Sequence, residues 1–71
     1  MTFPNRFQKW ADIYARAFGF TVTTRGNWVE LHRDGETHEC MSVQGVQDVC
    51  RKSVTADQIK AIEPHLPPIF D

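Results

Sequence analysis

Two different spacings of apolar residues divide this chain into its predicted elements. From residue 5 to residue 19, apolar side chains recur at steps of three and four, which is the pattern of an amphipathic helix. The predicted buried positions of this helix are Phe7, Trp10, Ala11, Tyr14, Ala17 and Phe18. Asn5 can cap its start with Gln8 as the capping-box partner, and Gly19 suits the left-handed residue that ends a helix.

Residues 20–41 change to a two-residue spacing, in which β-branched and aromatic residues alternate with polar ones. Gly26-Asn27 and Asp34-Gly35 interrupt this segment, and both pairs are typical of tight turns between antiparallel strands. Asp34-Gly35 strongly favours a type I′ turn, which makes Arg33 face Glu36, and Gly26-Asn27 favours the same turn type less strongly. The segment is therefore predicted to be a three-stranded antiparallel meander.

The two turns also determine which side chains share a face of the sheet, because opposed residues point the same way and successive residues alternate. Both turns group the same apolar residues, and this agreement identifies the buried face. Its predicted members are Phe20, Val22, Val29, Leu31, His38 and Cys40. The predicted members of the opposite, outward face are Thr21, Thr23, Arg25, Trp28, Glu30, His32, Thr37, Glu39 and Met41. On that face Trp28 is expected to lie between Arg25 and Met41.

Two short helices are predicted after the meander. Ser42 can cap the first, and Thr55 can cap the second with Gln58 as its capping-box partner. The apolar positions of the first are Val43, Val46, Val49 and Cys50, and those of the second are Ile59, Ile62 and Leu66. Residues 64–71 are predicted to be a proline-rich tail. The whole chain, 1–71, is thus predicted to be one α+β domain of order α-β-β-β-α-α, with its helices packed on one face of the sheet.

Size and composition exclude several classes of protein. A chain of 71 residues makes one domain with a thin core, and its net charge of −1 is low for a generic polyanion binder. No apolar run approaches the roughly 18 residues that span a bilayer, and the N-terminal segment lacks the apolar core of a signal peptide. We therefore expect a cytoplasmic protein without a membrane partner, in which Cys40 and Cys50 are free thiols.

Residues 30–40, ELHRDGETHEC, combine histidine, cysteine and carboxylate side chains and raise the question of a metal or catalytic site. The predicted register puts His32 and His38 on opposite faces, so they cannot share a metal ion. His38, Cys40 and Cys50 remain as zinc-ligand candidates, but they lack the short paired spacing usual at zinc sites. The common catalytic and phosphate-binding motifs are missing as well. We therefore expect a non-enzymatic protein without metal, cofactor or catalytic residues.

The outward face of the sheet is the predicted functional surface. Trp28 beside Arg25 and Met41 has the composition of a protein-interface hot spot, unless the tail segment LPPIF covers the indole. Glu30 and Glu39 oppose each other and are expected to be solvated or to meet a partner's cation. These five residues support our first hypothesis, a protein-binding module that regulates or inhibits a larger complex. The specific form of this hypothesis is an anti-CRISPR-like, anti-host protein encoded by a phage or mobile element.

A second hypothesis is a small nucleic-acid-binding regulator. Its contacts would come from basic residues on the first helix and at the end of the second, namely Arg6, Lys9, Arg16, Arg51 and Lys52. The outer edges of the first and third strands lack partners in the predicted meander, so an edge-strand homodimer is a further expectation.

The order α-β-β-β-α resembles that of a double-stranded-RNA-binding domain and of the related small toxin fold with a catalytic histidine after a glycine. The resemblance is limited to the order of elements. Where the first family carries a lysine cluster, this chain reads SVQGVQD, and where the second carries Gly-Ser/Thr-His, it reads Gly26-Asn27-Trp28. We therefore assign the chain to neither family.

Overall fold

A computed structural model describes residues 6–66, and its elements follow the predicted α-β-β-β-α-α order of an α+β domain. The helices are α1 Arg6–Ala17, α2 Val43–Lys52 and α3 Ala56–Ile62, and a short 3₁₀ helix, Glu63–His65, follows α3. The strands are β1 Thr21–Arg25, β2 Trp28–Arg33 and β3 Glu36–Cys40. They form one antiparallel sheet in the order β1-β2-β3, which is the predicted meander.

The two predicted turns set the register of this sheet. Asp34 and Gly35 both have positive φ angles, 53° and 81°, as a type I′ turn requires. In the other turn only Gly26 has a positive φ, 47°, which is the pattern of a type II′ turn, so the type I′ geometry predicted for Gly26-Asn27 does not form. The resulting strand pairs run from Arg25 opposite Trp28 and from Arg33 opposite Glu36, as predicted.

One predicted pair does not form. The β2–β3 ladder ends where Val29 faces Cys40, so Met41 lies beyond β3 and does not face Trp28. The chain turns at this point to begin α2, whose N-cap is Ser42, as predicted. The Ser42 hydroxyl accepts a hydrogen bond from the Gly45 amide at 3.1 Å. The requirement to start this helix removes Met41 from the sheet.

The core lies between the inner face of the sheet and helices α1 and α2. Its buried apolar members are Trp10, Ala11, Tyr14, Ala15, Phe18, Phe20, Val29, Leu31, Cys40, Val46 and Cys50. Helix α1 contributes a row of rings, in which the centroids of Trp10 and Tyr14 are 4.8 Å apart and those of Tyr14 and Phe18 are 4.9 Å apart. Such offset ring pairs add to the stabilisation that burial of apolar area provides.

The buried side of α1 differs from the predicted one at three positions. Ala17 is exposed, and Ala15 is buried in its place. Ala11 and Ala15 lie one turn apart and let the helix backbone approach the sheet closely. Gln8 extends the same side and is also fully buried. Asn5, the predicted N-cap of this helix, lies outside the described residues.

The C-terminal elements are attached more loosely. Thr55 and Gln58 form the predicted capping box of α3, but no residue of α3 is fully buried. Ile59, Ile62 and Leu66 pack against the core as partly buried side chains. Ordered structure continues past the predicted start of the tail at residue 64, because residues 63–65 form the 3₁₀ helix. No helix within residues 6–66 is long and apolar enough to cross a membrane.

An ion pair ties the 3₁₀ helix to α2. The Arg51 guanidinium donates two hydrogen bonds to the Glu63 carboxylate, at 3.0 and 2.9 Å, in the bidentate geometry that arginine favours. These hydrogen bonds raise the pKa of Arg51. Tyr14 lies close to the pair, and burial followed by the charge of Glu63 raises the pKa of its hydroxyl.

Candidate functional site on the outward face of the sheet

The side chains on the sheet face opposite the core form rows that cross the strands. We call this surface the outward face, and its residues within the ladder are Thr21, Thr23, Arg25, Trp28, Glu30, His32, Thr37 and Glu39. None of them is fully buried, whereas Val29, Leu31 and Cys40 on the other face are. The outward face is therefore accessible to a partner.

His32 connects all three strands at one end of the outward face. Its Nε2 atom lies 3.1 Å from the Thr23 hydroxyl on β1, and its Nδ1 atom lies 3.0 Å from the Thr37 hydroxyl on β3. A hydroxyl group can donate or accept, so both ring nitrogens have a partner in either neutral tautomer. The imidazole is consequently held in a fixed orientation.

Carboxylates give the middle of the outward face an excess of negative charge. Glu30 is held on β2 by Arg25, whose Nε atom is 3.2 Å from its Oε1 atom, and only 15% of the Glu30 side chain is exposed. Glu39 faces Glu30 across the β2–β3 ladder and is exposed. Within residues 6–66, Glu39 makes no ion pair, so its charge is available to a partner's cation.

Trp28 lies at the end of the outward face opposite His32, and its backbone contacts α1 on the inner side of the sheet. The buried Gln8 amide donates from Nε2 towards backbone carbonyls of the β1–β2 turn, at 2.9 Å to Trp28 and 3.1 Å to Gly26. A third, longer contact reaches the Arg25 carbonyl at 3.4 Å. The turn that carries both Trp28 and Arg25 is thereby fastened to the core.

The sequence pattern did not identify this role of Gln8. The position of Gln8 in the sequence was the one indication of this role, because Gln8 precedes Ala11 and Ala15 on the side of α1 that faces the sheet. A polar residue on that side requires a buried hydrogen-bond partner. The Gly26 carbonyl lies outside the strand ladder, and the Trp28 carbonyl can accept a second hydrogen bond beside its ladder bond, so the turn supplies such partners.

The predicted partner-binding residues are only partly brought together. Arg25 and Glu30 are in contact, and Glu39 lies opposite Glu30. Trp28 is partly buried rather than fully exposed, and Met41, which is 72% exposed, lies past the end of β3. The segment LPPIF, the alternative cover for the indole, continues beyond the described residues.

The predicted basic surface is partly neutralised. Arg16 pairs with Asp12 on the same helix at 2.7 Å, and Arg51 is held by Glu63. The other three members of the set, Arg6, Lys9 and Lys52, are exposed. Fewer free cations remain for phosphate contacts than the sequence suggests.

A cleft of about 440 Å³ opens on the inner side of the sheet, between the β2–β3 turn and the end of α2. Arg33 lies 5.5 Å above the Phe20 ring and donates from Nη1 to the Phe18 carbonyl at 3.1 Å. The rim carries charges of both signs, including Lys52 and Asp48. This mixture does not favour one class of ligand, so the cleft is a weaker candidate than the outward face.

The zinc-ligand candidates lie on the core side. Cys40 and Cys50 are buried free thiols, and burial, with a smaller contribution from Cys40, raises the pKa of Cys50 to about 12. The His38 ring meets the Phe20 ring edge-on at 6.5 Å. Among the residues that the structure describes, no three histidine, cysteine or carboxylate side chains are grouped so that they could hold a metal ion.

No protein-family model matches this chain, and neither a curated protein sequence nor a solved structure matches it. The geometry and the charges of the outward face therefore indicate what the protein can bind.

Proposed function

We propose that this protein is a non-enzymatic, cytoplasmic binding module that regulates or inhibits a larger protein complex through its outward face. The observation that carries the proposal is the anchored Trp28. Its backbone is fixed to the buried Gln8 amide, while its indole stands on an accessible face beside Arg25. An aromatic side chain on a rigid support loses little conformational freedom on binding, which favours a hot-spot role.

The charges on the outward face specify what the partner should offer. Arg25 is already paired with Glu30, so Glu39 is the charge that a partner can complement. We expect a basic side chain opposite Glu39 and an apolar pocket for Trp28, with the exposed Met41 at the rim. An anti-host inhibitor of the anti-CRISPR type is the specific form of this proposal.

The first test is affinity capture from source-cell lysate, with tagged wild type and Trp28→Ala compared with and without nuclease. We expect a protein partner that survives nuclease treatment and is lost with Trp28→Ala. Removal of a true anchor weakens binding by at least about 2 kcal/mol, or roughly thirtyfold. Ile13→Ala is the matched control, because Ile13 is a partly exposed apolar residue on α1. Equal capture by wild type and Trp28→Ala would refute the assignment.

A charge reversal tests the role of Glu39. Glu39→Lys should weaken partner binding, because it replaces the complementary charge with a repulsive one. Glu36→Lys makes the same change of charge on the same strand, but on the opposite face of the sheet. If the two variants bind the captured partner equally well, the outward face is not the contact surface.

Nucleic-acid binding is the second candidate function, favoured by the exposed cations Arg6, Lys9 and Lys52. In that case the captured material should be lost on nuclease treatment and should not depend on Trp28. Its affinity should fall steeply with salt concentration, since phosphate contacts release counterions. Binding that is insensitive to salt would exclude this candidate.

A further inference from the structure

The two outer strands of the sheet differ in the chemistry of their free edges. Within residues 6–66, no strand pairs with the outer side of β1 or of β3. Strand β3 carries two exposed carboxylates, Glu36 and Glu39, and charges of this kind prevent edges from associating. Strand β1, TVTTR, has neither proline nor bulge, and Arg25 is its one charged residue. The outer edge of β1 therefore lacks the usual protection.

The register determines which backbone groups of β1 point away from the sheet. Residues that flank a two-residue turn exchange both of their backbone hydrogen bonds, and bonded pairs then alternate along the ladder. Arg25, Thr23 and Thr21 therefore bond to β2. The N–H and C=O groups of Val22 and Thr24 point outward and can pair with another strand.

We propose that β1 pairs antiparallel with β1 of a second copy of this chain, about a two-fold axis at Thr23. This arrangement places Thr23 against its own copy, Val22 against Thr24, and Thr21 against Arg25. It opposes no like charges, and Arg25 is already neutralised by Glu30 at 3.2 Å. Isologous contacts of this kind are the commonest symmetry of protein dimers.

The corresponding pairing of β3 is less favourable. A two-fold axis at His38 would place Glu39 of each copy on the outward face, diagonal to the other across the seam, with Glu36 of each copy on the inner face. Repulsion between the two Glu39 carboxylates opposes this contact. The dimer through β1 instead yields a six-stranded sheet whose outward faces are continuous and carry the two Trp28 side chains on the same side, at opposite ends of the strands. This inference goes beyond the proposed function, because self-association and partner capture are measured separately.

The decisive experiment removes one outward N–H group without changing a side chain. The full chain is synthesised with an N-methyl group on the Thr24 amide, and the control carries an N-methyl group on the Glu39 amide, which faces outward on β3. Sedimentation up to roughly millimolar concentration should give a dimer for wild type and for the control. The Thr24 variant should associate roughly thirtyfold more weakly, because two symmetry-related hydrogen bonds are lost together. A monomeric wild type, or disruption by the Glu39 modification instead, would overturn the proposal.

A charge exchange tests the position of the axis. Thr23→Asp and Thr23→Lys should each be monomeric, because like charges would meet at the axis. An equimolar mixture should form a heterodimer, with circular dichroism used to verify that each variant is folded. Two folded variants that fail to associate in the mixture, or that each dimerise as wild type does, would overturn the pairing about Thr23.

Discussion

The buried Gln8 amide joins α1 to the β1–β2 turn, and replacing it tests whether the turn depends on this link. Gln8→Met keeps the length of the side chain and removes its polar group. The variant loses two hydrogen bonds of normal length, at 2.9 and 3.1 Å, and a weaker contact at 3.4 Å. Each normal bond contributes about 1 kcal/mol net.

We therefore expect Gln8→Met to lower the free energy of unfolding by about 2 kcal/mol. Water can reach the exposed residue Gly26 and hydrogen-bond its carbonyl in place of the Gln8 amide. The decrease in the free energy of unfolding therefore stays below the value expected if neither carbonyl found a new partner. For a domain of this size, 2 kcal/mol corresponds to a decrease in Tm of roughly 8–16 °C. Urea denaturation followed by circular dichroism measures the free energy, and thermal denaturation measures Tm.

Gln44→Met is the matched control, because Gln44 is exposed on α2. We expect it to change the free energy of unfolding by less than about 0.5 kcal/mol. If Gln8→Met is as stable as Gln44→Met, the amide does not fasten the turn. The account of Trp28 as an anchored side chain would then lose its basis.

Three further predictions concern the core and the C-terminal elements. Leu31→Ala, at a fully buried position, should lower the free energy of unfolding by about 2–5 kcal/mol. Thermal denaturation should then show that a large fraction of the variant is already unfolded at the start of the scan. Burial raises the pKa of the Cys50 thiol from 9.0 to about 12, so this thiol ionises at a lower pH in the unfolded chain than in the folded protein. The free energy of unfolding should therefore decrease as pH rises from 9 towards 12. A pH series of denaturation curves should show a smaller decrease for Cys50→Ala. Glu63→Gln should lower the free energy of unfolding by less than about 1 kcal/mol, because the ion pair with Arg51 is partly exposed. Amide hydrogen exchange in α3 should nevertheless become faster.

The sheet was predictable from the sequence because each connection between its strands is a turn of two residues. Asp34-Gly35 and Gly26-Asn27 leave little freedom in register, and the apolar residues agree with both turns. The caps Ser42 and Thr55 were recognised for a similar reason, since a cap and its partner are only three residues apart. Local patterns of this kind require no knowledge of the tertiary structure.

The features that the sequence did not reveal depend on distant residues. Gln8 binds carbonyls about twenty residues further along the chain, and nothing near Gln8 indicates that contact. Whether Ala15 or Ala17 is buried depends on how α1 is rotated against the sheet. Met41 leaves the ladder because α2 must begin at once, a competition between two elements that a strand pattern alone cannot resolve.

The meander has a consequence for the speed of folding. Each strand pairs only with its neighbour in the chain, across a loop of two residues, so both hairpins can close with a small loss of chain entropy. The slower event should be the docking of α1, which must bring Gln8 to a turn that lies far along the chain from it. We therefore expect the hairpins to form early, and the row of rings on α1 to reach its final packing only at the last barrier of the folding reaction.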